Sequence, residues 1–339
     1  MGIPKAFFDD DMKRVFAFIL AFCLVFLCSC TNAGKEPSKK EYFAITQIDR
    51  CVVEPDEKAV MTKDDENYYR KLMDSVITRK DSVTLSDDET KNKFYIDLLM
   101  QSPYYFFLSA CELNGSNAKL TFAYEKDEQD EMCEFLDSEF LKIANFNAAE
   151  TDNELDTVLK IYYYISKGYN YDYDRTDNKS LDSPLFTYPD KEIYNFLKDK
   201  KGLCYGFAYT MRFVLLQRGI DCFCVYGDCI YDDDSHMWNI FKYDGEFFIC
   251  DSAWDRANDT YARLYNFGKT DEERESDAID TVDFSTYHFE EYGKVECTDK
   301  RFLIFRTVMR FSYVEDHKFF MEEFGGEHKM FDTEKFEFI

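Results

Sequence analysis

Basic residues are scarce in this sequence: 41 Lys and Arg stand against 67 Asp and Glu, for a formal net charge of −26. Such a field repels polyanions, which excludes a nucleic-acid backbone or an anionic lipid surface as a ligand for the whole protein. Long apolar runs are missing too. The stretch from Val15 to Leu27 holds thirteen residues, short of the about 20 that span a bilayer. No internal repeat and no sustained heptad is present, which excludes a solenoid or a long coiled coil. The twelve cysteines show no paired C-x-x-C spacing, so Cys222, Cys224, Cys229 and His236 make a poor zinc set. Asp232-Asp233-Asp234 lacks the spaced ligands of an EF-hand loop and reads as a solvated charge run. No metal and no cofactor is expected.

Core-forming residues, by contrast, are plentiful. Hydrophobic residues make up 45% of the 339, with 34 Phe and 25 Tyr, enough for one large domain or two modest ones. Cys222, Cys224 and Cys250 sit in apolar, strand-like runs and read as small hydrophobes. Cys51, Cys111, Cys133, Cys229 and Cys297 stand in strand-like or isolated contexts, and all eight are expected to be free thiols.

The N-terminus has its own pattern. Lys13 and Arg14 precede the thirteen-residue run, and Cys28, Ser29 and Cys30 follow it, the layout of a secretory signal. Leu27-Cys28-Ser29-Cys30 resembles a bacterial lipobox, which implies that Cys30 is the lipidated residue and the mature N-terminus. Asp9, Asp10 and Asp11 place negative charge where a signal wants positive, so Met12 is the better start. On this reading residues 1–29 are a lipoprotein signal peptide and 30–41 a flexible polar tether. The protein is then exported and lipid-anchored to the outer face of the cell membrane.

Beyond the tether, the pattern predicts helices over 66–77 and 88–100, the second ended by Ser102-Pro103. Segments 104–111 and 119–124 flank Asn114-Gly115 and predict a hairpin. A helix over 125–144 follows, then one opened by Thr151-x-x-Glu154 as a capping box and closed by Gly168. Residues 169–190, rich in Tyr, Asp, Asn and Ser, read as a loop, and 290–339 as a tail of undetermined structure.

Chemistry concentrates in 191–255. A short helix over 191–198 leads to Gly202-Leu203-Cys204-Tyr205-Gly206, after which Phe207/Ala208, Met211 and Val214/Leu215 repeat at helical spacing up to a Gly219 cap. Cys204 therefore falls at a helix start, where the dipole and unpaired N–H groups favour a thiolate and can receive an oxyanion. Gly202 and Gly206 leave room for close backbone approach. Further on, 235–243 and 246–253 read as strands joined by Asp244-Gly245, a two-residue hairpin signal. That turn sets Tyr243 opposite Glu246, Ile240 opposite Ile249 and Trp238 opposite Asp251. Alternation then puts His236, Trp238, Ile249 and Asp251 on one face. His236 and Asp251 become diagonal neighbours, within side-chain hydrogen-bonding reach. Cys204 as nucleophile, His236 as base and Asp251 as orienter make a complete set, although Cys204 and His236 taken singly read more readily as packing or structural residues and Asp251 could be a turn residue.

Gly202-x-Cys204-x-Gly206-x-Ala208, Gly219-Ile220, Gly227, His236-x-Trp238-Asn239, Asp244-Gly245 and Asp251-x-x-Trp254, in that order, resemble the transglutaminase-like superfamily. The resemblance spans roughly 105–268 and implies an α+β fold with a papain-like core. In it a Cys-bearing helix packs on an antiparallel β-sheet that presents His and Asp. It further implies a Cys204–His236–Asp251 triad acting on amide bonds through a thioester, with water or an amine as acceptor. Tyr171 is the weakly supported candidate for an oxyanion donor. The expected organisation is an N-terminal α/β accessory region at 42–104, a transglutaminase-like domain at 105–289 and a C-terminal extension at 290–339. Expected partners are a protein or peptide substrate, cell-wall peptides included, and the membrane through the lipid anchor. A binding or scaffold module on the same fold, with an idle triad, is the alternative. A third reading is a structural lipoprotein whose residues 42–135 bind a partner.

Overall fold

Helices dominate the first half of the chain and strands the second. The computed structural model describes residues 42, 44–176, 192–228, 235–257, 261–276 and 295–339. In chain order the elements are α1 (Pro55–Val60), α2 (Lys63–Ile77), β1 (Ser82–Thr84), α3 (Glu89–Met100), β2 (Leu108–Asn114) and β3 (Asn117–Phe122). Then come α4 (Lys126–Ala144), α5 (Glu154–Gly168), β4 (Asn170–Tyr171), α6 (Tyr173–Thr176), α7 (Glu192–Asp199), β5 (Lys201–Gly202) and α8 (Cys204–Gln217). The remainder is β6 (Cys222–Asp228), β7 (Ser235–Tyr243), β8 (Glu246–Cys250), β9 (Arg256–Ala257), β10 (Tyr261–Ala262), β11 (Phe267–Lys269), α9 (Asp271–Ser276), β12 (Val308–Glu315), β13 (Lys318–Glu323), β14 (His328–Asp332) and β15 (Glu337–Phe338).

Two features position the site. The first is α8, which packs against β6 and β7 on one side and against α4, α5 and α7 on others. Its Phe207, Met211, Phe213, Val214, Leu215 and Arg212 are all buried, so it is a central helix apolar nearly all round. That is more than the one-faced pattern the sequence suggests. Arg212 keeps its charge there by pairing with the buried Glu54, just before α1. Gly202 and Gly206 admit α7: a Cβ on Gly206 would stand 2.8 Å from the Phe196 ring, and one on Gly202 would stand 2.7 Å from it.

The second feature is the sheet β11-β8-β7-β6. The β7–β8 hairpin pairs Tyr243 with Glu246 and Ile240 with Ile249, the register set by its turn. Asp244 and Gly245 have φ of 51° and 85°, the left-handed pair of a type I′ turn whose twist matches the strands. Strand β8 ends at Cys250, so Asp251 is the first residue beyond it.

Several local expectations shift. Residues 105–107 form a 3₁₀ turn before β2 begins at Leu108. The capping box of α5 is Asn153 with Asp156 instead of Thr151 with Glu154. Part of the supposed loop after Gly168 is ordered as β4 and α6, and β4 pairs in parallel with β5. Residues 42–339 form one compact unit, and shared sheets cross both expected boundaries. Strand β1 of 42–104 pairs with β3, and the C-terminal strands β12 to β15 continue through β10 and β9 as one six-stranded antiparallel sheet. The tail is thus structured. The signal and tether at 1–41, with Cys30, lie outside the described residues, as do Cys229, Asp232–Asp234 and His288. No described helix is long and apolar enough to cross a membrane.

Candidate active site

Cys204 is the first residue of α8. Leu203 precedes it in extended conformation without a side-chain cap, and the first turn holds no acidic residue. The unpaired N–H groups there are therefore left to favour negative charge on the thiol. Ala208 and Met237 pack with Cys204, and Tyr171, Tyr205, Tyr209 and Cys224 surround them.

His236 reaches the thiol from β7. Its Nε2 lies 2.7 Å from Asp251 Oδ2, and the Cys204 thiol is among the groups that act on the ring electrostatically. With Nε2 committed to the carboxylate, Nδ1 is the nitrogen left for sulfur. The ring stacks on Trp254 at 4.1 Å with an interplanar angle of 4° and lies 6.0 Å from Trp238. Both tryptophans thus pack at the site. Burial opposes charge on His236, but the Asp251 carboxylate and the Cys204 thiol outweigh it, and the pKa is pushed up to about 9. At neutral pH the favoured state of His236 is therefore the imidazolium.

Asp251 is held from several sides. Burial would neutralise it, yet His236, Arg274 and the Trp254 N–H keep its carboxyl below the usual range. Its Oδ1 accepts from that N–H at 3.1 Å, and its carbonyl lies 2.9 Å from the Tyr162 hydroxyl on α5. Tyr162 also reaches Asp255 Oδ2 at 2.7 Å. Asp255 accepts from Asn266 as well, and burial pushes its pKa up to about 6. The loop carrying Asp251 is thereby tied to α5 and to β11's approach.

Tyr171 lies beside the thiol. The two-residue β4–β5 pairing sets Tyr171 beside Gly202, and its ring packs against the Cys204 cluster. Burial, then Cys204, raises its pKa, so the phenol remains a donor. Arg256 on β9 stacks over Tyr171 and Tyr173 at 5.1 and 4.9 Å.

The structure thus brings Cys204, His236, Asp251 and Tyr171 together. His317 instead pairs with Asp156 on α5, and His328 lies beside Glu322 on the neighbouring strand. Sequence reasoning missed Tyr162, Asp255 and Arg274. The sequence carries a hint of the last: Thr270-x-x-Glu273 is a capping-box signature opening α9, and the structure forms that box. The remaining described thiols, Cys51, Cys111, Cys133, Cys222, Cys224, Cys250 and Cys297, are free. Burial pushes Cys111 and Cys133 up to about 11 and Cys51 up to about 12. A cleft of 770 Å³ lies apart from the triad, lined by Arg50, Arg70, Asp49 and Asp137 among others. Those charges are paired with one another.

An antiparallel sheet presenting His and Asp to a Cys-bearing helix is an α+β, papain-like core. Residues 142–252 match the model of the transglutaminase-like superfamily, a span that contains Cys204, His236 and Asp251 and falls within the expected 105–268. The chain therefore carries a transglutaminase-like domain. Two solved structures show partial likeness. One is from Cytophaga hutchinsonii, described provisionally as a cysteine protease, at 19% identity over 34% of this chain and 36% of that one, with a TM-score of 0.26. The other is described as a TGase, at 15% identity over 50% and 49%, with a TM-score of 0.29. This chain thus spans about a third and about a half of their lengths. No curated protein matches the sequence.

Proposed function

We propose that this protein is a cysteine-dependent acyl-transfer enzyme that opens amide bonds through a thioester on Cys204. The observation that carries the reading is one buried imidazole bonded to Asp251 at 2.7 Å and acted on electrostatically by a thiol at a helix start. In the reaction the Cys204 thiolate attacks the amide carbonyl, and the negative oxygen is received by the Cys204 N–H and the Tyr171 hydroxyl. His236, as imidazolium, gives its proton to the leaving amine, and the C–N bond breaks to leave the acyl group on sulfur. His236, now neutral, takes a proton from water or from a second amine, which attacks the thioester and releases Cys204 as the thiolate beside the imidazolium. Water makes the enzyme a peptidase or amidase, an amine a cross-linker. Asp251 fixes the ring and balances its charge.

The lipobox-like Leu27-Cys28-Ser29-Cys30 supports a surface lipoprotein anchored through Cys30, acting on protein or cell-wall peptides. Cys30→Ala should move the protein out of the detergent phase, and unchanged partitioning with the signal removed contradicts the anchor.

Time-resolved labelling with iodoacetamide at pH 7, followed by peptide mapping, tests the enzyme reading. Cys204 should be the first thiol labelled, ahead of Cys51 and Cys111, whose thiols are held protonated. A Cys204 no faster than these two overturns the enzyme reading in favour of a binding module on the same fold.

A further inference from the structure

Helix α9 contributes a residue that neither the motif order nor the triad includes. The Arg274 side chain is completely buried, with 0% of it exposed, and its Nη2 lies 3.3 Å from Asp251 Oδ2. That oxygen is the one His236 uses. The guanidinium carbon stands 4.1 Å from the Trp254 ring centroid and 5.0 Å from that of Trp238, the same two indoles that stack with His236. Among the described residues, Nε and Nη1 of Arg274 have no hydrogen-bond partner. A buried guanidinium left two-thirds unpaired is costly, so what it does through Nη2 and its flat face must be worth that cost. A planar, permanently charged group can lie flat on an indole while reaching a carboxylate.

We propose that Arg274 is a positioning residue of the active site, holding Asp251 ionised and aimed at His236 while fixing Trp254 against the imidazole. The proposal rests on the acyl-transfer reading. Its logic is electrostatic. Asp251 is buried among His236 of β7, Cys204 of α8, Tyr171 of β4, Tyr162 of α5, and Asp255 and the Trp254 N–H of its own loop. Lys269 of β11 acts on Asp255. In this set Arg274 is the one permanent positive charge in contact with Asp251. His236 loses its support once Asp251 takes a proton, and the thiolate is lost with it. Arg274 therefore sets how acid the medium can become before the thiol falls silent.

The rate of Cys204 alkylation against pH reads this directly. Arg274→Gln should move the acid limb upward by about one unit, the lower end of what a neighbouring charge exerts, and slow alkylation on that limb about tenfold. Arg274→Lys should bring the limb back most of the way. In an Asp251→Asn background, Arg274→Gln should change the rate less than about twofold, because the two act through one carboxylate. Should the glutamine variant fail to fold, Arg274→Met combined with Asp251→Asn removes both buried charges together. That pair should match Asp251→Asn alone. An unmoved acid limb, a lysine variant as displaced as the glutamine one, or effects that multiply in the Asp251→Asn background overturn the proposal and leave Arg274 a packing residue. Wild-type Cys204 reacting slowly, or His236→Ala without effect, instead overturns the enzyme reading beneath it.

Discussion

The described residues contain two histidine–aspartate pairs with buried carboxylates that do different work. His236–Asp251 joins β7 to the loop after β8, and His317–Asp156 joins the turn between β12 and β13 to α5. Both carboxylates are almost fully enclosed, at 1% and 0% side-chain exposure. The difference lies in how each carboxylate is spent. Asp156 closes the capping box of α5 with Asn153 and accepts from the Thr333 hydroxyl, so its histidine completes a latch between a helix and the C-terminal sheet. Asp251 is turned toward a ring on which a helix-start thiol also acts. A histidine–aspartate bond is thus equally good as a bolt or as the base of a nucleophile, and its neighbours decide which.

Breaking each pair in turn should separate chemistry from stability. His236→Ala should slow Cys204 alkylation at pH 7 by about 10–100-fold, since the thiolate loses its imidazolium partner, whereas His317→Ala should leave that rate within about twofold. Asp251→Asn should retain the fold but slow the reaction about tenfold, because an amide supports the wrong ring tautomer. The matching change at the latch, Asp156→Asn, should cost about 2–3 kcal/mol in urea unfolding, from a lost cap and two buried hydrogen bonds. It should leave the thiol's reactivity unchanged.

Stability against pH sharpens the comparison further. His236 has a folded pKa of about 9 against an ordinary value of 6.5. Its contribution is therefore fully present below about 6.5 and is lost as pH rises through about 9. Asp251 has the opposite sign: its lowered pKa gives stability that is present above the usual carboxylate range and lost as pH falls through the folded value. Melting temperatures from pH 6 to 10 should fall for wild type across the upper window, and His236→Ala should flatten that fall. The smallest effect is expected at His328, 62% exposed beside Glu322. His328→Ala should change stability by less than about 0.5 kcal/mol.

The active pair was more legible in sequence than the latch because its geometry is local. Asp244-Gly245 forces a two-residue turn, and alternation from it carries His236 and Asp251 to one face without knowledge of the rest of the chain. Cys204 is equally local: helical spacing downstream and glycines on either side mark a helix start. Tyr171 is hard to read from sequence, because what places it is a two-residue parallel bridge to β5, too short to leave any periodicity. Arg274 was hidden inside Asp271-Glu272-Glu273-Arg274, a charge run that reads as exposed until tertiary packing buries one member on two indoles. The tail had no readable partner since its sheet is completed by β9 and β10, far away in sequence.

Titration of the imidazole signals by nuclear magnetic resonance tests the central claim most directly, that Cys204 and Asp251 together hold His236 as an imidazolium at neutral pH. His236 should titrate near 9 in the wild type. In Asp251→Asn it should titrate below about 6.5, because burial remains while the opposing carboxylate is gone. A wild-type His236 that titrates near 6.5 and does not move in Asp251→Asn would contradict the claim.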